Sequence, residues 1–456
     1  MITVSVVNFG AVPDGDAVQT KAFQKAIDHC FLAGGGEVTV PAGTYIIGDI
    51  RLRSNITLHL LENAILKGSS NPAEYNHIYT DLLEPLPQEQ ATRAIWKTPA
   101  EWNAGGGGFK PHLYTAGSYW NYGIIRAVYA ENVRIIGENG SKIDGGNTYD
   151  PEGEENYRGP HGINMHFCKN LHFEGYTITD TGNWAHAIFQ SENVTFRNLT
   201  VLAGHDALHT RACSGVVMEN CTLITGDDAI AGFDNLDVLI KNCKISSACS
   251  AFRFGGNHIL IEDCDIYGPC QYQFRGSFSD EEKRAGAKVS ACGRNNMLSF
   301  FTFFVTDDLP ARREPGDIVI RNCTVTGADR FLHINLSGNE PWQRGNPPTE
   351  ITFENIRAKD IKTGLYAYGN GVVPYRLNLK NINYSVAPGY EQEPFMKVAH
   401  FGEINFQNVQ IENYRGNAFI KTWSEGGAVN MDVPPCPIQE NELLVKAEKP
   451  FTCDPI

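Results

Sequence analysis

Between Val194 and Phe274 the chain repeats one short pattern at almost constant spacing, and that period restricts the fold more than any other feature of the 456 residues. Asn198, Asn220, Asn242 and Asp263 each close an alternating apolar run: Val194 and Phe196, Val216 and Met218, Val238 and Ile240, Ile259 and Ile261. The steps are 22, 22 and 21 residues. A period this short leaves no room for two packed helices and suits coils of short strands joined by turns. One such coil cannot bury its own apolar face, so each must stack on the next. Residues one period apart then lie above one another at the strand spacing of about 4.8 Å. Asp206 precedes Asp227 and Asp228 by 21 and 22 residues, so the same geometry predicts that the three carboxylates meet in neighbouring coils.

Cys221, Cys243 and Cys264 follow three of the four polar residues, and Cys323 returns at the same place later in the chain. This reads as an inward stack of small apolar side chains rather than as bridges. The 12 cysteines include no Cys-x-x-Cys pair. They demand neither a disulfide scaffold nor a zinc site, and no metal or cofactor is expected. A content of 45 glycines and 23 prolines favours turns over long helices. The formal charge of -14, with no basic tract to offset it, argues against nucleic acid as the main partner. No apolar run approaches the length of a membrane span, so none is expected. Residues 1–7 lack the charged region and apolar core of a leader. The expectation is a cytoplasmic protein as the chain stands, or a secreted or periplasmic one if a leader has been trimmed. Oligomeric state is left open.

Taken in order, the chain first shows an amphipathic helix from Thr20 to about Ala33, with Phe23, Ala26, Ile27, Cys30 and Phe31 spaced by three and four residues. Gly34, Gly35 and Gly36 stop it, and a solenoid needs its first coil covered, so this helix is read as an N-terminal cap. Strand-like text follows at 37–40, 43–47 and 56–60. The rhythm breaks at 71–122 and at 277–315, which read as large loop excursions from a single domain spanning 1–456. A shorter acidic excursion covers 147–160. Later coils are marked by Asn355, Asn381 and Asn408.

Gly226-Asp227-Asp228-Ala229-Ile230-Ala231 resembles a motif of the polygalacturonase-like glycoside hydrolases of family 28. Asn8-Phe9-Gly10-Ala11, Ile143-Asp144-Gly145 and Asn183-Trp184-Ala185-His186 resemble further landmarks, so the likeness covers most of the chain. It implies an all-β fold, the single-stranded right-handed parallel β-helix, in agreement with the period. It also implies hydrolysis of pectic glycosidic bonds with inversion. In that family one aspartate protonates the leaving oxygen while two others position and deprotonate water. By correspondence Asp227 is the acid, and Asp206 with Asp228 forms the base side. Gly204-His205-Asp206 stands where the family has Asn-Thr-Asp. An inverting hydrolase needs its acid and base on opposite faces of the sugar, about 6.5 to 9.5 Å apart.

The chain departs from the family at two places. The Gly-His-Gly motif reads Ala248-Cys249-Ser250, which puts Cys249 at the histidine's position, and a thiol does not reproduce the hydrogen bonding of imidazole. His205 and His209 are available for the orienting role. The Arg-Ile-Lys substrate clamp is absent. Arg253 and Arg275, 22 residues apart, are the closest replacements, since a guanidinium binds a uronate carboxylate bidentately. Trp184 and His186 are expected to line the same groove, with packing beneath it as the alternative for Trp184. The excursions would narrow the groove, which favours exo action on a pectic or related acidic oligosaccharide. The competing readings are a β-helix polysaccharide lyase, marked by calcium dependence and an unsaturated product, and a catalytically inactive glycan-binding protein.

Overall fold

The computed structural model describes residues 2–76, 122–155, 157–272, 279–285, 295–306, 312–340 and 343–451. The chain divides into two compact units, 1–217 with 273–293 and 218–272 with 294–456. Each is a right-handed parallel β-helix whose strands pair in register with those of the next coil.

The first unit begins with the expected helix, Thr20–Leu32, which buries Phe23, Ala26, Ile27 and Cys30 and gives way to Gly34 and Gly35 at φ of 88° and 118°. Its Thr20 hydroxyl accepts the Gly48 N–H at 2.7 Å and its Gln24 Oε1 accepts the Arg51 N–H at 2.8 Å, which fastens the helix to the first coil. From there a coil comprises three short strands. His161–His166, Lys169–Glu174 and Thr177–Thr179 form one, and His186–Phe189, Glu192–Arg197 and Thr200–Ala203 form the next. Alternation along each strand sends every second residue inward. Val38, Leu58, Ile135, Phe173 and Phe196 therefore stack in one row. The Phe173 and Phe196 rings lie 5.0 Å apart at 19°. Burying each such side chain contributes about 1.5–3 kcal/mol.

In the second unit the row is Val238, Ile259, Ile318, Ile351, Leu377 and Ile404. Beside it Cys221, Cys243, Cys264 and Cys323 form the expected inward ladder, all buried and all free thiols. Hydrogen bonds to the Cys243 and Cys323 thiols, together with burial, push the Cys264 thiol far above its ordinary range. The stretch 277–315 is less of an excursion than its lost period suggests. Asp280–Arg284 is a short helix, and Met297–Phe303 is a regular strand paired with Ser250–Glu262. Its period is masked because Phe300 and Phe301, adjacent in the strand, are both buried. Most of 71–122 lies outside the described residues.

The recurring asparagines have a backbone cause. Asn198, Asn220, Asn242, Asp263, Asn322, Asn355, Asn381 and Asn408 all adopt φ between 51° and 57°. Asn and Asp tolerate this left-handed conformation better than other side chains. Their amides also bond along the stack, Asn381 Nδ2 donating to Asn355 Oδ1 and Asn355 Nδ2 to Asn322 Oδ1, each at 3.0 Å. Both Asn355→Gly and Asn355→Ala lose these bonds, but only Ala retains a Cβ at positive φ. The Ala variant should be the less stable by about 1 kcal/mol, read from urea midpoints.

Candidate active site

Asp206 belongs to the first unit, Asp227 and Asp228 to the second. Asp206 is 4% exposed and sits in the turn before the strand Leu208–Arg211. Its backbone carbonyl accepts the Ala185 N–H at 2.8 Å, which pins the turn to the preceding coil. His209 Nδ1 lies 2.9 Å from Asp206 Oδ2. The partly exposed Trp184 stacks on the His209 ring, with centroids 3.8 Å apart and planes within 5°. Trp184 also lies 5.2 Å from the His161 ring.

The other two histidines have different partners. Arg158 Nη1 donates to His205 Nδ1 at 2.9 Å and to Asn183 Oδ1 at 3.3 Å. Because a guanidinium has no acceptor, His205 Nδ1 carries no proton in this contact. Arg158 arrives from the acidic excursion, where Glu155 holds its Nε at 3.1 Å. Sequence reasoning missed Arg158, and its one signal was a cation in an acidic stretch. His186 is fully buried in the core and does not line a groove. It is packed against Phe173 and Phe196, and its Nε2 lies 2.8 Å from the Tyr176 hydroxyl. Burial pushes its pKa down to about 4, so this imidazole is neutral at ordinary pH.

In the second unit the paired aspartates occupy a turn held by two hydroxyls. Thr225 Oγ1 and Ser247 Oγ donate to the Asp227 carbonyl at 2.8 and 2.7 Å, and Asp227 Oδ1 accepts the Asp228 N–H at 3.0 Å. Asp228, 2% exposed, accepts the Ser250 N–H on Oδ1 at 3.0 Å and faces Arg253 Nη1 across 3.7 Å on Oδ2. Cys249 stays beside them, its N–H bonded to Ser247 Oγ at 2.8 Å. Ligand atoms of Asp227, Asp228 and Cys249 lie within 4.8 Å of one another. The adjacent guanidinium already supplies positive charge at Asp228.

Arg253 points outward between the inward Phe252 and Phe254, its guanidinium 4.0 Å above the Phe304 ring and its side chain 28% exposed. Arg275 lies outside the described residues. On the rungs after Arg253 come Thr302, His333 and Tyr366. His333 is fully buried and its Nε2 lies 3.0 Å from Glu340 Oε2. Burial, opposed by Glu340 and reinforced by Arg330 and Arg253, holds its pKa below the ordinary value. Arg330 Nη1 is buried without a hydrogen-bond partner among the described residues. The sequence reading singled out neither His333 nor Arg330, because both stand in ordinary strand text.

Residues 109–248, which contain all three aspartates, match the model of glycosyl hydrolases family 28. A Vitis vinifera protein named "Probable polygalacturonase" is 27% identical over 230 residues, 48% of this chain and 41% of the relative. An exo-poly-alpha-D-galacturonosidase of Dickeya chrysanthemi is 42% identical over 76 residues, 17% of this chain and 12% of the relative. The matches thus span less than half the length of either relative. Among solved structures, the family 28 exopolygalacturonase of Yersinia enterocolitica aligns with a TM-score of 0.59 at 17% identity, covering 95% of this chain and 79% of that one. The exopolygalacturonase of Thermotoga maritima aligns at 0.52 and 16%, covering 94% and 91%. At these identities the two structures attest the fold alone. Residues 109–248 are thus similar to glycosyl hydrolases family 28, and parts of the chain are similar to the two polygalacturonase-named relatives.

Proposed function

We propose that the protein hydrolyses glycosidic bonds of an acidic plant cell-wall polysaccharide or its oligosaccharides, by exo action and with inversion. Asp227 serves as the general acid, and Asp206 with Asp228 activates water. The observation that carries this reading is the Asp227–Asp228 turn, which lies in the segment matching the family model and faces one carboxylate to Arg253 across 3.7 Å. The 21- and 22-residue steps from Asp206 equal one coil and support its membership of the set. Exo action is supported by the name of the Dickeya relative. The test is incubation with defined oligogalacturonides, with products resolved by size and the first anomer followed by NMR. Release of terminal units as the inverted anomer is expected. An unsaturated product would replace hydrolysis by elimination.

Arg253 is assigned to the substrate carboxylate, since its guanidinium is stacked on Phe304 and remains partly exposed. Arg253→Ala should lower kcat/KM on the uronate by about 10- to 100-fold, the worth of a hydrogen bond to a charged group. The methyl-esterified substrate should lose much less. Arg253→Lys should recover only part of the loss, because an ammonium lacks the planar fork. Equal losses on both substrates would remove Arg253 from carboxylate recognition.

A further inference from the structure

The pairing of His209 with Asp206 is a local device that the role of the aspartates alone does not require. Both side chains are nearly out of solvent, at 8% and 6% exposure, and their contact at 2.9 Å is a full hydrogen bond. An ionised carboxylate only accepts, so the proton in that bond belongs to His209 Nδ1. The imidazole is fixed on more than one side. Trp184 covers one face in a parallel stack at 3.8 Å, Phe189 lies at 6.0 Å and 41°, and the strand holding His209 pairs Ala187 with it in register. The stack on Trp184 fixes the plane of the ring, and the bond to Asp206 selects the edge that carries Nδ1.

We infer that His209 is the positioning residue of Asp206, with Trp184 as the plate that orients the imidazole, so that one oxygen of the carboxylate is fixed and its ionised form is favoured. This rests on the reading of Asp206 as part of the base side. The device lies within the coil of Asp206 and its predecessor. Arg158, His161, His205 and Arg211 lie on the elements packed around this pair. A useful comparison must leave all four in place.

Exchanges at His209 meet that condition. His209→Phe keeps a ring for Trp184 to stack on and removes the donor. His209→Asn restores an N–H near the Nδ1 position without the ring. Loss of a hydrogen bond that favours the charged carboxylate raises the pKa of the base, so the acid limb of the rate profile moves to higher pH. The expected displacement in His209→Phe is about one to two pH units, the equivalent of one charge-assisted bond. kcat on the acid side should fall by about 10- to 100-fold, with KM little changed. His209→Asn should return the limb most of the way. Should the Phe variant fail to fold, His209→Gln replaces it, since its amide reaches the Nε2 end and not Nδ1. An acid limb unmoved in His209→Phe or His209→Gln, with only the unfolding temperature lowered, overturns the positioning role. Asp206→Asn, measured alongside, separates the two readings. If it is inactive while the limb stays fixed in the His209 variants, only the positioning role fails. If it retains the wild-type rate, the assignment of Asp206 to the base side fails first.

Discussion

Asp227→Asn should lower kcat on an unactivated oligogalacturonide by about 100- to 10,000-fold, the contribution of a general acid, while its unfolding midpoint stays at the wild-type value. The fold is preserved because the turn is held through the Asp227 main-chain carbonyl, bonded by Thr225 and Ser247, and through Oδ1, bonded by the Asp228 N–H. An asparagine keeps that oxygen and loses only the transferable proton. A substrate whose leaving group departs without protonation should therefore be slowed far less. Asp206→Asn and Asp228→Asn should slow both kinds of substrate, since neither reacts without the activated water. Rates on the two substrates for all three variants, with the first anomer followed by NMR, decide the assignment. Near-normal turnover of the unactivated glycoside by Asp227→Asn would remove it from the acid role, and a retained anomer would rule out single displacement.

The largest loss of stability is expected at a site that carries no chemistry in this scheme. Arg126 Nε is ion-paired with Asp49, both side chains nearly buried at 9% and 2% exposure, and Asp49 also accepts from Asn76 Nδ2 at 2.8 Å. Arg126 extends from the strand Gly123–Val128, in register with Arg51 on one side and Asn164 on the other. Arg126→Ala leaves the Asp49 carboxylate buried without its counter-charge, at a cost of about 3–5 kcal/mol. The double exchange Arg126→Leu with Asp49→Leu removes both charges and should cost clearly less. Urea unfolding of the three proteins measures this. A single variant as stable as the double would show that solvent reaches Asp49 and screens it.

The sequence alone determined the coil. Its 22-residue step, the inward rows of Val, Ile and Phe, and the Cys221–Cys243–Cys264 ladder follow from the two-residue alternation of strands and the need of each coil for a neighbour. The outward direction of Arg253 was legible for the same reason, because it stands between two inward phenylalanines. Trp184 and His186 show where this logic stops. Two residues apart, they would share a face within a strand, but the strand begins at His186 and Trp184 belongs to the turn before it. One therefore lies in the core and the other stacks on His209. Likewise, the sequence offered both His205 and His209 for the orienting role. Only the tertiary structure chose His209, because Arg158 reaches in from an irregular excursion 47 residues earlier and occupies His205. Periodicity fixes where a side chain in regular structure points. Contacts made by turns and excursions depend on how the chain returns through space, and no repeat encodes that path.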